Sequence, residues 1–235
     1  MNNLVIVESQ AKAKKIQSFL EKSFPKKTWK VHACLGHVRD LKDDESAVDP
    51  SDWTKLKWES TQKGKKTLKD IRELVKGSSE IYLASDPDRE GEAIAWHILD
   101  HLKEKKLISD KTIYRISFNE ITQNAIEQAV ENPREIDRFL VEAYLARRVL
   151  DHLIGFKVSP LLWRHVPRAK SAGRVQSPSL RMICEREDEI DAFCPEEFWP
   201  IKAEFKTKDC IFISELVRNN GDDLKKIPVI SEVDA

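Results

Sequence analysis

Short apolar runs alternate with longer amphipathic stretches over the first 130 residues of the chain. The apolar runs predict β-strands at 4–8, 29–34, 80–85 and 112–116. Apolar residues at helical spacing predict helices at 11–22, 61–76, 90–104 and 123–131. Gly77 is expected to end the second of these helices as a C′ glycine, and Thr122 is expected to cap the fourth. This alternation of strands and helices predicts an α/β fold with a parallel sheet.

The pattern changes after residue 130. Residues 135–154 have the spacing of a strongly amphipathic helix, and Gly155 is expected to end it. A further helix is predicted at 177–190. Beyond Pro195, apolar and polar residues alternate, which predicts strands of a separate β unit. Within the first part, residues 39–59 are acidic and lack periodicity, so they are interpreted as an excursion from the sheet.

Carboxylates follow two of the predicted strands. Glu8 ends the first strand, and Asp86, Asp88 and Glu90 lie where the third strand turns into a helix. Because the carboxyl ends of parallel strands meet at one edge of a sheet, we expect Glu8 to lie near this acidic turn. Alternating carboxylates repel one another unless a cation lies among them, and hard oxygen ligands suit Mg²⁺. The alternative is a solvated acidic turn that only caps the following helix.

Six motifs lie along nearly the whole chain: LVIVESQAKAK (4–14), LGHVRDL (35–41), SDPDREGEAIAWH (85–97), RISFNEIT (115–122), ARRVLD (146–151) and SAGRVQ (171–176). Together they resemble the type IA DNA topoisomerases, which begin with a Toprim domain, and are closest to the bacterial topoisomerase I family. One departure is Gln10, where the family usually has Pro. This departure leaves Glu8 and Lys12 in place.

The resemblance implies a fold class and a domain organisation. It implies an α/β Toprim domain at 1–130, with a Rossmann-like central parallel sheet, flanking helices and an excursion at 38–62 that packs on the helical region. An all-α, DNA-binding region is expected at 131–193. The beginning of a β-rich arch domain is expected at 194–235, cut short by the end of the chain. The chain is thus expected to be the N-terminal part of a longer topoisomerase.

The resemblance also implies chemical roles at the sheet edge. Glu8 is expected to act as general acid and base, and Lys12 and Arg89 to bring positive charge to the scissile phosphate. The implied cofactor is Mg²⁺, and its implied ligands are Glu8, Asp86, Asp88 and Glu90. The neighbouring carboxylates would raise the pKa of Glu8, whereas a bound Mg²⁺ would oppose this shift.

Basic residues dominate from Arg147 to Arg181, where eight Lys and Arg residues outnumber the single acid Asp151. Such a stretch, with aromatic residues inside it, is typical of a groove for single-stranded nucleic acid, although a solvated helix face is the alternative. The DNA-binding residues that the resemblance implies are His37, Arg147, Arg148, Asp151, Phe156, Trp163, Ser171, Ala172, Gly173, Arg174, Val175 and Gln176. Phe156 and Trp163 could equally lie in the helical core, and Arg147 and Asp151 could pair with each other at i, i+4.

Composition excludes several other classes of protein. Lys plus Arg equals Asp plus Glu at 40 each, so net charge does not indicate a partner, and 40% hydrophobic residues is ordinary for a globular protein. The four cysteines have no Cys-x-x-Cys spacing, which argues against a zinc ribbon and favours a reduced, cytoplasmic protein. No signal peptide or membrane span is indicated. Residues 63–67 superficially resemble a phosphate-binding loop, but Glu59 stands where a Walker A motif needs Gly, so no ATP site is expected.

The expected function is therefore part of an ATP-independent topoisomerase that relaxes negatively supercoiled DNA by cutting one strand through a 5′-phosphotyrosine link, passing another strand and resealing. The expected partner is DNA with single-stranded segments, and the expected state is a monomer in the bacterial cytoplasm, associated with the nucleoid. The alternative is a stand-alone Toprim module, either a nucleic-acid-binding module or one of the nuclease or primase type. The chain's three tyrosines, Tyr82, Tyr114 and Tyr144, have the setting of packing residues, so the chain alone is expected not to relax DNA.

Overall fold

A computed structural model describes residues 2–49, 51–195, 201–219 and 222–223. In chain order its strands are β1 (Asn2–Val7), β2 (Thr28–Ala33), β3 (Arg39–Leu41), β4 (Val48–Asp49), β5 (Asp52–Leu56), β6 (Trp58–Ser60), β7 (Glu80–Leu83), β8 (Thr112–Arg115), β9 (Lys202–Lys206), β10 (Ile211–Glu215), β11 (Arg218–Asn219) and β12 (Asp222–Asp223). Its α-helices are α1 (Gln10–Ser23), α2 (Gln62–Lys76), α3 (Arg89–Glu104), α4 (Gln123–Glu131), α5 (Arg138–Leu153), α6 (Ser159–His165) and α7 (Gln176–Asp191). The chain divides into two compact units, 1–176 and 177–235, while domain boundaries near 130 and 193 stay predictions.

Four parallel strands form the central sheet of the first unit, in the order β2-β1-β7-β8. The predicted α/β fold with a parallel sheet is thereby confirmed. Strand β1 pairs with β2 on one side and with β7 on the other, so the order of strands reverses at β1. Open α/β sheets bind ligands at such a reversal, outside the carboxyl ends of the strands. Glu8 and the turn after β7 lie at this edge because they follow β1 and β7 directly.

The alternation of side chains along β1 divides the helices between the two faces of the sheet. Leu4 and Ile6 pack in one buried apolar cluster with α2 and α3. Val5 and Val7 pack in a second buried cluster with α1 and α4. Because both faces are apolar and covered, residues 4–7 of β1 form a continuous hydrophobic run, as is typical of a parallel strand buried on both sides.

The helix caps follow local sequence closely. The side chains of Ser9, Thr61 and Thr122 accept hydrogen bonds from backbone N–H groups in the first turns of α1, α2 and α4. The predicted cap at Thr122 is thus confirmed. Gly77 ends α2 as predicted, but its φ of −90° is not the left-handed conformation of a C′ glycine.

The excursion at 39–59 contains short antiparallel pairs, β3 with β6 and β4 with β5, and a 3₁₀ turn at Glu45–Ala47. Its residues Leu41 and Val48 are buried against Val149 of α5, and Leu153 packs at the edge of the same cluster. Hydrophobic burial of these side chains therefore holds the excursion on α5.

The prediction that Gly155 ends the helix at 135–154 is wrong. The chain continues through a π-helical segment, Ile154–Val158, directly into α6. A glycine ends a helix when the chain uses its freedom to adopt a positive φ. Gly155 is absent from the positive-φ glycines of the described chain, and Ile154 before it remains right-handed at φ −61°.

Strands β9 and β10 of the second unit form an antiparallel pair, and β11 pairs with β12 in the same sense. The predicted alternation beyond Pro195 is thus confirmed as strand structure. Residues 196–200, 220–221 and 224–235 of the predicted β-rich region lie outside the described residues. No helix in the described part of the chain is long and apolar enough to cross a bilayer.

Candidate site at the carboxyl edge of the parallel sheet

Glu8 and Asp86 meet at the edge where β1 and β7 end. The backbone N–H of Asp86 donates a hydrogen bond of 3.1 Å to Glu8 Oε1. This contact joins residues 78 positions apart in the sequence. The parallel pairing of β1 with β7 makes it, because the two strands end side by side.

Burial at this edge changes the acidity of Glu8. Loss of hydration raises the pKa of its carboxyl group, and the negative charges of Asp86 and Asp88 raise it further. The hydrogen bond from the Asp86 N–H and the charge of Lys12 act in the opposite direction without cancelling the rise. The sequence predicts that neighbouring carboxylates raise the pKa of Glu8, whereas burial is the largest cause in the structure.

Lys12 lies in the first turn of α1, beside the same edge. Its Nζ pairs with Asp86 Oδ1, which brings a cation within contact distance of the acidic turn. Lys12, Asp86 and Asp88 line a cleft of about 380 Å³. Residues 118–121, which follow β8, line the same cleft.

Asp88 caps the helix that follows the acidic turn, which is the role that the alternative interpretation gave to this turn. Its Oδ1 accepts a hydrogen bond of 2.7 Å from the N–H of Gly91, and so caps α3. Gly91 is needed here because a Cβ at this position would lie 2.2 Å from the carbonyl oxygen of Asp86. The helix thus begins in close contact with the backbone of the turn.

Glu90 contacts residues from other elements, whereas Arg89 is exposed to solvent. Glu90 Oε2 lies 2.9 Å from His37 Nε2, and Glu90 Oε1 lies 3.4 Å from Arg147 Nη1. Arg89 is exposed, and its guanidinium makes no hydrogen bond or ion pair with the residues that the structure describes. Glu90 is therefore part of a contact between α3 and α5.

The carboxylates at this edge can provide two ligands for Mg²⁺ but not a complete coordination shell. Within the described ranges, no group of three or more His, Cys, Asp or Glu side chains is arranged to hold a metal ion. Mg²⁺ needs only one or two carboxylates, because water and phosphate oxygens complete its shell. Asp86 and Asp88, both close enough to Glu8 to raise its pKa, meet that requirement.

Three of the predicted DNA-binding residues lie around the α3–α5 contact. His37 stacks on Tyr144 of α5 with ring centroids 5.5 Å apart. Arg147 is exposed and bridges Glu90 and Asp151, the latter at 3.9 Å as anticipated for an i, i+4 pair. Arg148 donates to Asp40 of the excursion at 2.5 Å. All three have acidic partners within the chain.

The remaining predicted DNA-binding residues lie around the loop at 171–176. Asp151 accepts a bond of 2.9 Å from Arg174 Nε, which ties this loop to α5. Gln176 Nε2 donates to the carbonyl of Ser171, and the N–H of Ala172 donates to Ser159 Oγ. Gly173 lies against the Gln176 side chain, and Val175 is exposed. These contacts fold the loop back on itself beside the C-terminal half of α5.

The two predicted stacking residues differ in exposure. Trp163 is 56% exposed, and its Nε1 donates to the carbonyl of Lys170 at 2.7 Å, so it is not a core residue. Phe156 is half-buried, contacts His152 at a centroid distance of 4.5 Å and lines a cleft of about 390 Å³ with Lys157.

One polar cluster of the site was not predicted. Glu92, two residues beyond Glu90, is fully buried and binds both Arg115 and Arg134. A signal was present in the sequence, since Glu92 precedes the apolar run of α3 and Arg115 interrupts the apolar run of β8. Charged residues are almost never fully buried unless they are paired.

A parallel sheet whose reversal edge carries Glu8 and the Asp86–Asp88 turn defines an α/β domain of the Toprim class. The family model "Toprim domain" matches residues 3–121, and the family model "DNA topoisomerase" matches residues 135–230. The chain belongs to the bacterial DNA topoisomerase I family.

Individual relatives agree with this assignment. The chain is 48% identical to DNA topoisomerase 1 of Rickettsia felis, over 99% of this chain and 30% of that protein. It is 44% identical to DNA topoisomerase 1 of Zymomonas mobilis, over 99% of this chain and 19% of that protein. The solved structure of full-length topoisomerase I from Thermotoga maritima is similar with a TM-score of 0.68 at 36% identity, over 95% of this chain and 36% of that one. The chain thus spans less than a third of the length of these two curated relatives.

Proposed function

We propose that the chain carries the magnesium and acid–base half of the active site of an ATP-independent type IA DNA topoisomerase. Such an enzyme relaxes negatively supercoiled DNA by cutting one strand through a 5′-phosphotyrosine link, passing another strand and resealing. The observation that supports this most strongly is the hydrogen bond from Asp86 N–H to Glu8 Oε1. It brings an acid with a raised pKa beside a carboxylate turn and Lys12, at the ligand-binding edge of the sheet.

In the proposed reaction, Glu8 gives a proton to the departing sugar oxygen and takes it back on resealing. Burial favours the protonated form of Glu8, which is the form that can donate. The Asp86 N–H holds one carboxyl oxygen and leaves the other free for the DNA. A group with these properties suits a step that runs in both directions.

Lys12 and Arg89 would supply positive charge to the scissile phosphate. Lys12 is now paired with Asp86, and it can exchange this partner for a phosphate oxygen. Asp86 and Asp88 would hold Mg²⁺, with Glu8 and Glu90 nearby, and the bound ion would neutralise phosphate charge. Contact with Mg²⁺ or DNA would free Glu90 from His37 and Arg147.

For DNA binding we propose the surface formed by α5 and the loop at 171–176. Arg147, Arg148 and Arg174 each pair with a carboxylate of the chain, and phosphates of a single strand would replace those partners. Ser171, Ala172 and Gly173 are small enough for backbone to approach phosphate. Trp163, exposed beside this loop, offers a face on which a base can stack.

None of the three tyrosines suits the nucleophilic role. Tyr82 and Tyr144 are buried, and burial raises the pKa of Tyr144 to about 12 and raises that of Tyr82 as well. Tyr114 is half-buried and stacks on Tyr82 with centroids 5.0 Å apart. We therefore propose that the nucleophile is not among the residues of this chain.

The alternative of a stand-alone nuclease or primase module is less well supported, because the DNA topoisomerase model matches residues 135–230, beyond the Toprim domain. The relatives named above are bacterial, and we propose a cytoplasmic monomer that works on the nucleoid without ATP.

The dependence of single-strand affinity on salt tests the DNA-binding part of this proposal. Binding to single strands loses about 0.7 in the slope of log affinity against log salt for each phosphate contact removed. Changing Arg147, Arg148 and Arg174 to Ala should therefore flatten the slope by roughly 2. A matched variant with three exposed lysines of α2 changed to Ala (Lys65, Lys66 and Lys69) should keep the wild-type slope. Equal slopes in all three proteins would refute the proposed surface.

A further inference from the structure

Glu92 is the centre of a buried ionic cluster beside the acidic turn. Its carboxylate is 0% exposed and accepts five hydrogen bonds. Arg115 donates two of them, at 2.9 and 2.8 Å, and Arg134 donates two more, at 2.6 and 3.0 Å. The fifth comes from the backbone N–H of Asp137, at 2.8 Å. The donors outweigh the cost of burial and lower the pKa of Glu92 to about 2, so the carboxylate is charged.

Arg115 links the Glu92 carboxylate to the backbone of the turn. Its guanidinium, which is also fully buried, donates to the carbonyl oxygens of Ser85 and Asp86, each at 2.8 Å, and to that of Leu83 at 3.1 Å. The backbone of Asp86 is thus fixed at two points, its carbonyl by Arg115 and its N–H by Glu8. A guanidinium with five donors in a rigid plane is suited to hold several carbonyls at once.

Arg134 and Asp137 connect the same carboxylate to the helical region. Arg134 pairs with Arg115 through two backbone hydrogen bonds of 3.1 and 2.8 Å. Asp137 is the N-cap of α5, where its Oδ1 accepts from the N–H of Phe139 at 2.9 Å. Glu92 therefore contacts the residue at which the helix with Arg147 and Arg148 begins.

From this geometry we infer that Glu92 is a positioning residue, which holds the Asp86 turn through Arg115 and the start of α5 through Arg134 and Asp137. One carboxylate thereby sets the acid–base edge and the DNA-facing helix in a fixed relation. The inference has two arms: the contact of Glu92 with the Asp86 turn, and its contact with the start of α5, which bears on DNA binding. The DNA arm rests on the proposed function, whereas the arm to the turn does not.

Two measurements on the whole chain test the two arms separately. Amide hydrogen exchange of Asp86, followed by NMR, reports on the turn. Affinity for a single-stranded oligodeoxythymidylate, followed by fluorescence anisotropy, reports on α5. In Glu92→Gln, the amide group places N–H donors against guanidinium N–H donors. We expect Asp86 exchange to accelerate at least about tenfold and the affinity for DNA to fall by about tenfold.

Arg134→Ala separates the arms, because it leaves Arg115 and Glu92 paired. We expect its Asp86 exchange to stay within about twofold of wild type while DNA affinity falls about fivefold, and Arg134→Lys to restore most of that affinity. Leu20→Ala, a truncation in the apolar cluster around α1, is the control for general destabilisation and should change neither quantity well below its melting temperature.

The inference is overturned if folded Glu92→Gln retains the wild-type Asp86 exchange rate, or if Leu20→Ala reproduces its effects. Should Glu92→Gln fail to fold, unchanged DNA affinity in Arg134→Ala overturns it, and a loss that Arg134→Lys repairs supports it. Failure of the wild-type chain to bind the oligonucleotide would refute the proposed function. The contact of Glu92 with the turn would still be tested by Asp86 exchange in folded Glu92→Gln or, if that variant does not fold, in Arg115→Lys. Faster exchange than in the wild type would support the inference, and an unchanged rate would overturn it.

Discussion

Gly91→Ala perturbs the acidic turn by a single methyl group. The new Cβ would lie 2.2 Å from the carbonyl oxygen of Asp86 and 2.8 Å from its backbone nitrogen, which is closer than real Cβ contacts allow. Because both neighbours are backbone atoms, the turn or the first turn of α3 must move by roughly 1 Å. Overpacking of this kind costs about 1–3 kcal/mol, and the better helix propensity of Ala offsets at most about 1 kcal/mol of it. We therefore expect a net loss of up to about 2 kcal/mol, and a stability about 1–3 kcal/mol below that of a helical Gly→Ala change without the clash.

Urea unfolding followed by circular dichroism measures this loss. Gly155→Ala is the matched control, because its backbone is helical and its new methyl group would have no atom within 4 Å beyond its chain neighbours and the backbone of its own helix. That control should be neutral or more stable by up to about 1 kcal/mol. If Gly91→Ala is as stable as Gly155→Ala, the close contact between α3 and the Asp86 backbone is not present and the geometry derived for the turn is wrong.

Two further outcomes follow from buried side chains. His97 is fully buried among Trp58, Trp96 and Tyr144, and burial lowers its pKa to about 3. As pH falls below about 6.5, His97 therefore binds a proton in the unfolded chain but not in the folded chain. The free energy of unfolding should fall by about 2 kcal/mol between pH 7 and pH 5 for this reason. His97→Leu should remove this part of the pH dependence in urea unfolding, and an unchanged pH dependence would contradict the assignment. Incubation of the chain with negatively supercoiled plasmid and Mg²⁺ should give no relaxed topoisomers and no DNA bound covalently to protein, whereas a ladder abolished by Tyr114→Phe would overturn the exclusion of the tyrosines.

Local patterns in the sequence predicted the sheet, every α-helix except α6, and the meeting of Glu8 with the acidic turn, because each depends on short-range periodicity and on the parallel pairing that it implies. Gly155 was misread because a glycine permits a helix to end but does not require it. The partners of Glu90 and Glu92 were beyond local reasoning for another reason. His37, Arg134 and Arg147 lie 42 to 57 residues from the glutamate that each contacts, and Arg115 lies 23 residues from Glu92, so only the tertiary fold brings them together.

Magnesium binding provides the decisive comparison for the sheet edge. Isothermal titration calorimetry of the wild-type chain with MgCl₂ should give saturable binding, and the double variant Asp86→Asn, Asp88→Asn should lose it, because two hard anionic ligands become neutral amides. A control variant, Asp49→Asn, changes an exposed carboxylate of the excursion and should bind as the wild type does. If the double variant binds Mg²⁺ with wild-type affinity, the carboxylate turn is only a helix cap and the proposed half-site is wrong.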